Sequence, residues 1–234
     1  MALPNINQQT FELNVPSTDE RIKFRPFLVR EEKILLQALE SNKLTDIASA
    51  VNTIIENCTF NKIEVDKLPS FDLEYIFLNI RAKSVGEIAK IKVLSPDDKK
   101  TYVETNVDLT KINVEVDVDH TNKIELTDTA GVVMRYPTLE MFIKNDYDNP
   151  KADDLIKMFA ECIDQIYDGD DVYDYADTIE SERIEFLENL TKEQFDKITQ
   201  FFSSMPRLKH EVKLTNPITK KKGKVTLEGL RSFF

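Results

Sequence analysis

The spacing of apolar residues in this chain switches repeatedly between that of a helix and that of a strand, and this switching constrains the fold more than any single motif does. Side chains three or four apart share a helix face, whereas side chains two apart share a strand face. Ile22 and Phe24 alternate with charged neighbours and read as a strand ending at Pro26, after a polar arm or extended strand over the first twenty residues. Helical spacing then takes over, with Ile34, Leu35, Ala38 and Leu39 on one face. Asn42 and Lys43 interrupt it, and Ala48, Val51, Ile54 and Ile55 resume it, which predicts a helical hairpin. Pro69 restarts the pattern with Ser70 as the expected N-cap of a helix carrying Phe71, Leu73, Ile76, Phe77 and Ile80.

After Gly86 the period falls to two. Ala89, Ile91 and Val93 alternate with Ile88, Lys90 and Lys92, and Tyr102-Val103 supplies a return strand across the Ser95-Pro96-Asp97-Asp98 turn. Ile112, Val114, Val116 and Val118, then Ile124 and Leu126, then Gly131 to Arg135, predict a small central antiparallel sheet. Beyond Pro137 helical stripes return: Leu155, Ile156, Phe159, Ile163 and Ile166 on one, Ile184, Leu187 and Leu190 on the next, then Phe195, Ile198, Phe201 and Phe202 up to Pro206. The chain closes with alternation from Lys209 to Thr226, a hairpin around Lys220-Lys221-Lys222-Gly223. The expected architecture is α+β: N-terminal helices, a central small antiparallel sheet, and C-terminal helices followed by a terminal β-hairpin. The reading for domains is one interlocked unit over residues 1–234. If the chain has a joint, it falls at 144–151, where Asn145 to Pro150 forms a polar break between 1–143 and 151–234.

At 234 residues the chain can bury a full core, and Cys58 and Cys162 are too few for a disulfide framework or a complete zinc site. Both fit apolar helical patterns, as small core residues in a reducing compartment. The N-terminus lacks a signal-peptide pattern, and no run of about 18 apolar residues occurs, so a soluble protein without membrane insertion is expected. The net charge of -11 would repel a phosphate backbone, and nucleic acid is not an expected partner. The charge is unevenly spread: 144–196 holds 5 basic and 17 acidic residues, whereas 205–234 holds 8 basic and 2 acidic. Complementary fields of this kind orient docking partners.

Catalytic chemistry finds few candidates. His120 and His210 are the only histidines, neither has a nucleophile near it in sequence, and no Gly-x-x-x-x-Gly-Lys phosphate loop occurs. A Cys162 and histidine dyad is weaker than a buried structural thiol. The acidic stretch Asp168 to Asp177 invites a calcium reading, but an EF-hand count from Asp168 puts Val172 where an oxygen ligand belongs and Tyr173 where glycine belongs. No cofactor or metal is therefore expected. A chain without tryptophan also lacks the stacking platform of most sugar clefts. The lysine run Lys220-Lys221-Lys222 has no interleaved aromatics and reads as a charged hairpin tip.

Several stretches carry a resemblance: Lys23-Phe24-Arg25-Pro26-Phe27-Leu28-Val29 running into Glu32 to Leu36, Phe71 to Glu87, His120-Thr121-Asn122, Met134-Arg135-Tyr136-Pro137, and Leu227 to Phe234. Together they resemble the baseplate hub proteins and hub-assembly chaperones of T-even-type contractile-tailed bacteriophages. The resemblance implies a non-enzymatic protein that binds other phage baseplate or hub proteins, in the host cytoplasm during assembly and in the virion baseplate if it stays there. The resemblance implies a Cys-x-x-Cys-Gly knuckle near the terminal hairpin, which members of the family often carry. Asn216 to Gly223 stands there instead, so a zinc-dependent role does not carry over, and the hairpin must be held by packing or by a partner. Phe233 and Phe234 read either as a plug of the local core, the favoured reading, or as an exposed anchor for another subunit. Charged or aromatic residues in or beside these stretches and in the two charged segments are the expected partner-binding set: Lys23, Phe24, Arg25, Phe27, Arg81, Lys83, Asp170, Asp171, Asp174, Lys220, Lys221 and Lys222. The alternatives are a hub-associated cell-wall lytic enzyme, which needs two carboxylates at catalytic separation, and a generic cytosolic adaptor.

Overall fold

Every strand pairing among the described residues is antiparallel, as alternation punctuated by Asn, Asp and Gly demands. The computed structural model describes residues 7–41, 43–144 and 152–229. Its chain forms two compact units, Met1–Glu115 with Arg207–Phe234, and Val116–Pro206. The fold is α+β.

In the first unit, β1 (Phe11–Asn14) and β2 (Arg21–Phe24) form a hairpin in the register Phe11↔Phe24 to Asn14↔Arg21. Helices α1 (Val29–Ser41) and α2 (Leu44–Cys58) follow as the predicted pair, and α3 (Ser70–Val85) lies at the centre. Helix α3 buries Leu73, Ile76, Phe77, Leu78 and Ile80 almost completely, a gross gain on the order of 10 kcal/mol before the entropy of ordering the helix is subtracted. Ser70 is the first helical residue and Pro69 the N-cap, one residue earlier than expected. The fixed proline φ presets the entry, and the Pro69 carbonyl accepts from the Asp72 and Leu73 N–H groups. Buried Asp72 accepts from the Ser17 N–H and hydroxyl, which ties the β1–β2 turn to this helix.

Strands β3 (Ile88–Leu94) and β4 (Tyr102–Asp108) pair as predicted, and their inner residues pack on α3. Strand β5 (Asn113–Glu115) pairs with β10 (Arg207–Thr215), whose other side pairs with β11 (Lys222–Glu228). Leu208, Val212, Leu214 and Leu227 complete the same core as Ala89, Ile91, Val93 and Val107. The final turn spans Asn216 to Lys221, with Lys222 and Gly223 already in β11. Phe233 and Phe234 lie outside the described residues.

The second unit contains β6 (Lys123–Glu125), β7 (Ala130–Met134), α4 (Leu139–Lys144), α5 (Ala152–Glu161), β8 (Ile163–Asp168), β9 (Asp171–Asp174), α6 (Glu180–Glu188) and α7 (Lys192–Ser204). Its sheet runs β6-β7-β8-β9. Three expectations change here. The predicted central sheet is divided, because β5 belongs to the first unit while β6 and β7 belong to the second. Val116 and Val118, expected inward on a strand, are 61% and 97% exposed, since β5 ends at Glu115. The stripe from Leu155 to Ile166 is two elements: helix to Glu161, strand from Ile163.

That last change has a local cause. The Ala160 and Glu161 carbonyls at the end of α5 accept from Arg183 Nε at 3.0 Å and Arg135 Nε at 2.8 Å, so two cations satisfy the helix C-terminus. Strand β8 then pairs along β7, from Ala130↔Asp168 to Met134↔Ile163. Val132, Met134, Ile163, Phe159, Leu187, Ile198 and Phe201 form the core of this unit, and Phe159 stacks on Phe202 at 4.3 Å between ring centroids.

The stretch 144–151, named as a joint, falls outside the described residues from 145 to 151. The boundaries between the two units fall at 115/116 and 206/207.

Candidate interaction surfaces

Arg25 and Glu31 form a buried ion pair at 3.0 Å, with Arg30 Nε 2.7 Å from the same carboxylate oxygen. Glu31 sits in the first turn of α1 and accepts from the Leu28 N–H at 2.8 Å, half of a capping box. Burial pushes its carboxyl up, but the hydrogen bonds from Arg25, Arg30 and Leu28 outweigh that and hold it down at about 2. Phe24, 2% exposed, packs against Phe11. Phe24 and Arg25 are therefore used inside the fold, and the surface of this segment reduces to exposed Lys23 and half-buried Phe27.

The structure brings the 23–27 and 81–84 segments together. The Phe27 N–H donates to Ser84 Oγ at 2.9 Å, and Lys83 Nζ lies 5.3 Å from the Phe11 ring centroid while bonding Glu87 at 2.5 Å. Lys23 pairs across the hairpin with Glu12. Arg81 is half-buried in α3, and burial lowers its pKa.

The acidic segment is a β-hairpin and not a loop. Gly169, at φ 59, makes the turn between β8 and β9 in a conformation glycine adopts without strain, and every β9 residue is exposed. Asp174 accepts from Gln165 Nε2 at 2.7 Å, and Asp170 and Asp171 point their carboxylates to solvent. An open cleft of about 520 Å³ beside the hairpin is lined by Ile166, Tyr167, Tyr173, Arg183 and Phe186. Two guanidinium groups, Arg135 at 3.7 Å and Arg183 at 4.1 Å, stack on Tyr175 and anchor the chain as it leaves β9.

The basic hairpin is held from beneath by side-chain hydrogen bonds. Asn216, fully buried, donates from Nδ2 to Asp97 at 2.9 Å and Asp98 at 3.0 Å, and its Oδ1 accepts from the Ile218 and Thr219 N–H groups. Thr219 Oγ1 and Ser95 Oγ, both at 2.6 Å, also donate to Asp97, and Thr101 donates to Asp98. The Ser95 hydroxyl first, then Thr219 and Asn216, hold the Asp97 carboxyl at about 2, and Asp98 is held below the usual carboxylate range chiefly by Thr101. A polar clasp thus joins the two hairpin tips. Lys220, Lys221 and Lys222 stand exposed on top of it.

One constellation was invisible in sequence. His120 Nδ1 lies 2.9 Å from Ser204 Oγ, 84 residues away, and Nε2 lies 2.9 Å from the Tyr136 hydroxyl. Ser204 Oγ also lies 2.9 Å from the Gln200 carbonyl and donates to it, so it accepts from the Nδ1–H while Nε2 accepts from Tyr136. The ring packs against Tyr136 and Phe201, and burial lowers its pKa. The imidazole thus bridges Tyr136 and Ser204 at the end of α7. The thiols are likewise confined: burial pushes Cys58 up to about 11 and Cys162 up to about 12. Among the described residues no three His, Cys, Asp or Glu side chains converge to hold a metal, and no helix is long and apolar enough to cross a membrane.

The chain belongs to the T4 bacteriophage base plate protein family, whose model matches residues 7–234. No curated protein and no solved structure matches it. It is a phage baseplate protein, and its family points to other baseplate proteins as the components it meets.

Proposed function

We propose that this baseplate protein works at the central hub, as a hub subunit or as a chaperone that positions hub components during assembly, by binding and without turnover. The observation that carries the reading is two hairpins of opposite charge, an acidic one at Asp170, Asp171 and Asp174 and a basic one at Lys220, Lys221 and Lys222, each exposed and each followed or underlain by side-chain contacts. Fields of opposite sign orient a partner before apolar contact forms. The half-buried Phe27 and exposed Lys23 and Lys83 form a further surface for a neighbouring subunit. A net charge of -11 weighs against a nucleic-acid partner.

Quantitative mass spectrometry of purified virions beside infected-cell lysate separates the two forms of the proposal. A stoichiometric signal in virions, fixed relative to a known tail protein, makes the chain a hub subunit. Abundance in lysate with absence from virions makes it a chaperone. Crosslinking only to baseplate proteins outside the hub, in both samples, would overturn the hub assignment.

A further inference from the structure

Two strands of opposite charge end their sheets with one edge unpaired. Strand β9 closes the order β6-β7-β8-β9, and β11 closes the order β11-β10-β5, so among the described residues each presents a row of backbone donors and acceptors without a strand partner. Strand β9 carries Asp171 and Asp174 around Val172 and Tyr173, which are 55% and 51% exposed. Strand β11 begins with Lys222 and Lys224, both exposed.

We propose that copies of this chain associate head to tail, the acidic edge strand β9 of one copy pairing with the basic edge strand β11 of the next. The electrostatics select this combination. Pairing β9 antiparallel with a second β9 sets Asp171 within about 5 Å of Asp174 of the other copy, so like charges oppose it, whereas β11, with Lys222 and Lys224 at its start and Glu228 at its end, offers the opposite charge in its first residues. The β9–β11 pair sets aspartate across from lysine, while Val172 and Tyr173 gain apolar cover. A contact between two different patches is heterologous, so the copies close into a ring or run on, according to the rotation between neighbours. This inference stands apart from the hub assignment and can fail without it.

The test is sedimentation velocity of the full chain, with far-UV circular dichroism to establish that each variant is folded. The unmodified chain should associate with rising concentration at about 0.05 M salt and disperse at about 0.5 M, where screening is several-fold stronger. A synthetic peptide of residues 220–228 should disperse the assembly by occupying β9, a measurement that needs no variant. D171K/D174K and K222E/K224E should each sediment as monomers, and mixing the two should restore association, because each then offers the edge that the other lacks. A chain that stays monomeric at low salt, an assembly indifferent to the peptide, or folded charge-reversed variants that do not associate on mixing would overturn the proposal.

Discussion

Glu31 shows what a single residue contributes. Its carboxylate is buried and receives two guanidinium groups and a backbone N–H, which hold it down at about 2 against an ordinary value of 4.5. A carboxyl lowered on folding stabilises above its unfolded value and loses that contribution as pH falls. The contribution of Glu31 is therefore complete above about pH 4.5 and gone near pH 2, on the order of 3 kcal/mol in all. Glu31→Ala, which strands buried Arg25, should cost about 3 to 5 kcal/mol in urea unfolding at neutral pH. The gap from the unmodified chain should shrink as pH approaches 2; a gap independent of pH would show that packing alone is lost. In sequence, Arg25 looks like a surface charge. Only the turn at Pro26 brings its guanidinium back onto the start of α1, six residues on.

At the scale of elements, side-chain hydrogen bonds clasp the β3–β4 tip to the β10–β11 tip. Asn216→Ala removes both donors and both acceptances of a fully buried amide, and a loss of about 2 to 3 kcal/mol is expected. Hydrogen exchange should report it locally, with the Ile218 and Thr219 amides released first; protection unchanged there would mean that the turn holds itself. Gly223→Ala should weaken the same junction, because a Cβ would come within 2.7 Å of Pro96 Cγ. A lower melting temperature than the unmodified chain is the check. In the second unit, Gly131→Ala brings a Cβ to 2.4 Å from the Ile124 carbonyl oxygen and should cost about 1 to 3 kcal/mol by overpacking β7 on β6, read as an earlier unfolding midpoint.

At the scale of the molecule, the second unit is inserted between paired strands. Glu115 and Arg207 are register partners in β5 and β10, so the chain leaves and re-enters the first unit at adjacent positions. Replacing 116–206 with a two-residue hairpin turn should leave a folded first unit, since neighbouring antiparallel strands need no more. Residues 116–206 expressed alone should fold on their own aromatic core. Cooperative thermal melts and dispersed NMR spectra of both pieces would establish this, and a molten spectrum from either would show that the units need each other.

Much of this fold was legible in the sequence because periodicity reports burial on one face. The helices at 29–41, 44–58 and 70–85, the β3–β4 pair and the terminal hairpin all follow from it. Periodicity failed where two templates coincide: Ile163 and Ile166 satisfy a helix stripe, yet Arg135 and Arg183 end α5 and the β7 ladder takes Ile163. The chain's composition and spacing determined the α+β class, the antiparallel pairing and the segregation of charge, all of which depend on residues close in sequence. Tertiary structure alone decided that β5 joins β10 while β6 and β7 join β8, that Arg25 is inside while Lys23 is outside, and that His120 meets Ser204. Those outcomes depend on groups apart in sequence, from six residues for Arg25 and Glu31 to 84 for His120 and Ser204, competing for the same buried space and the same hydrogen bonds.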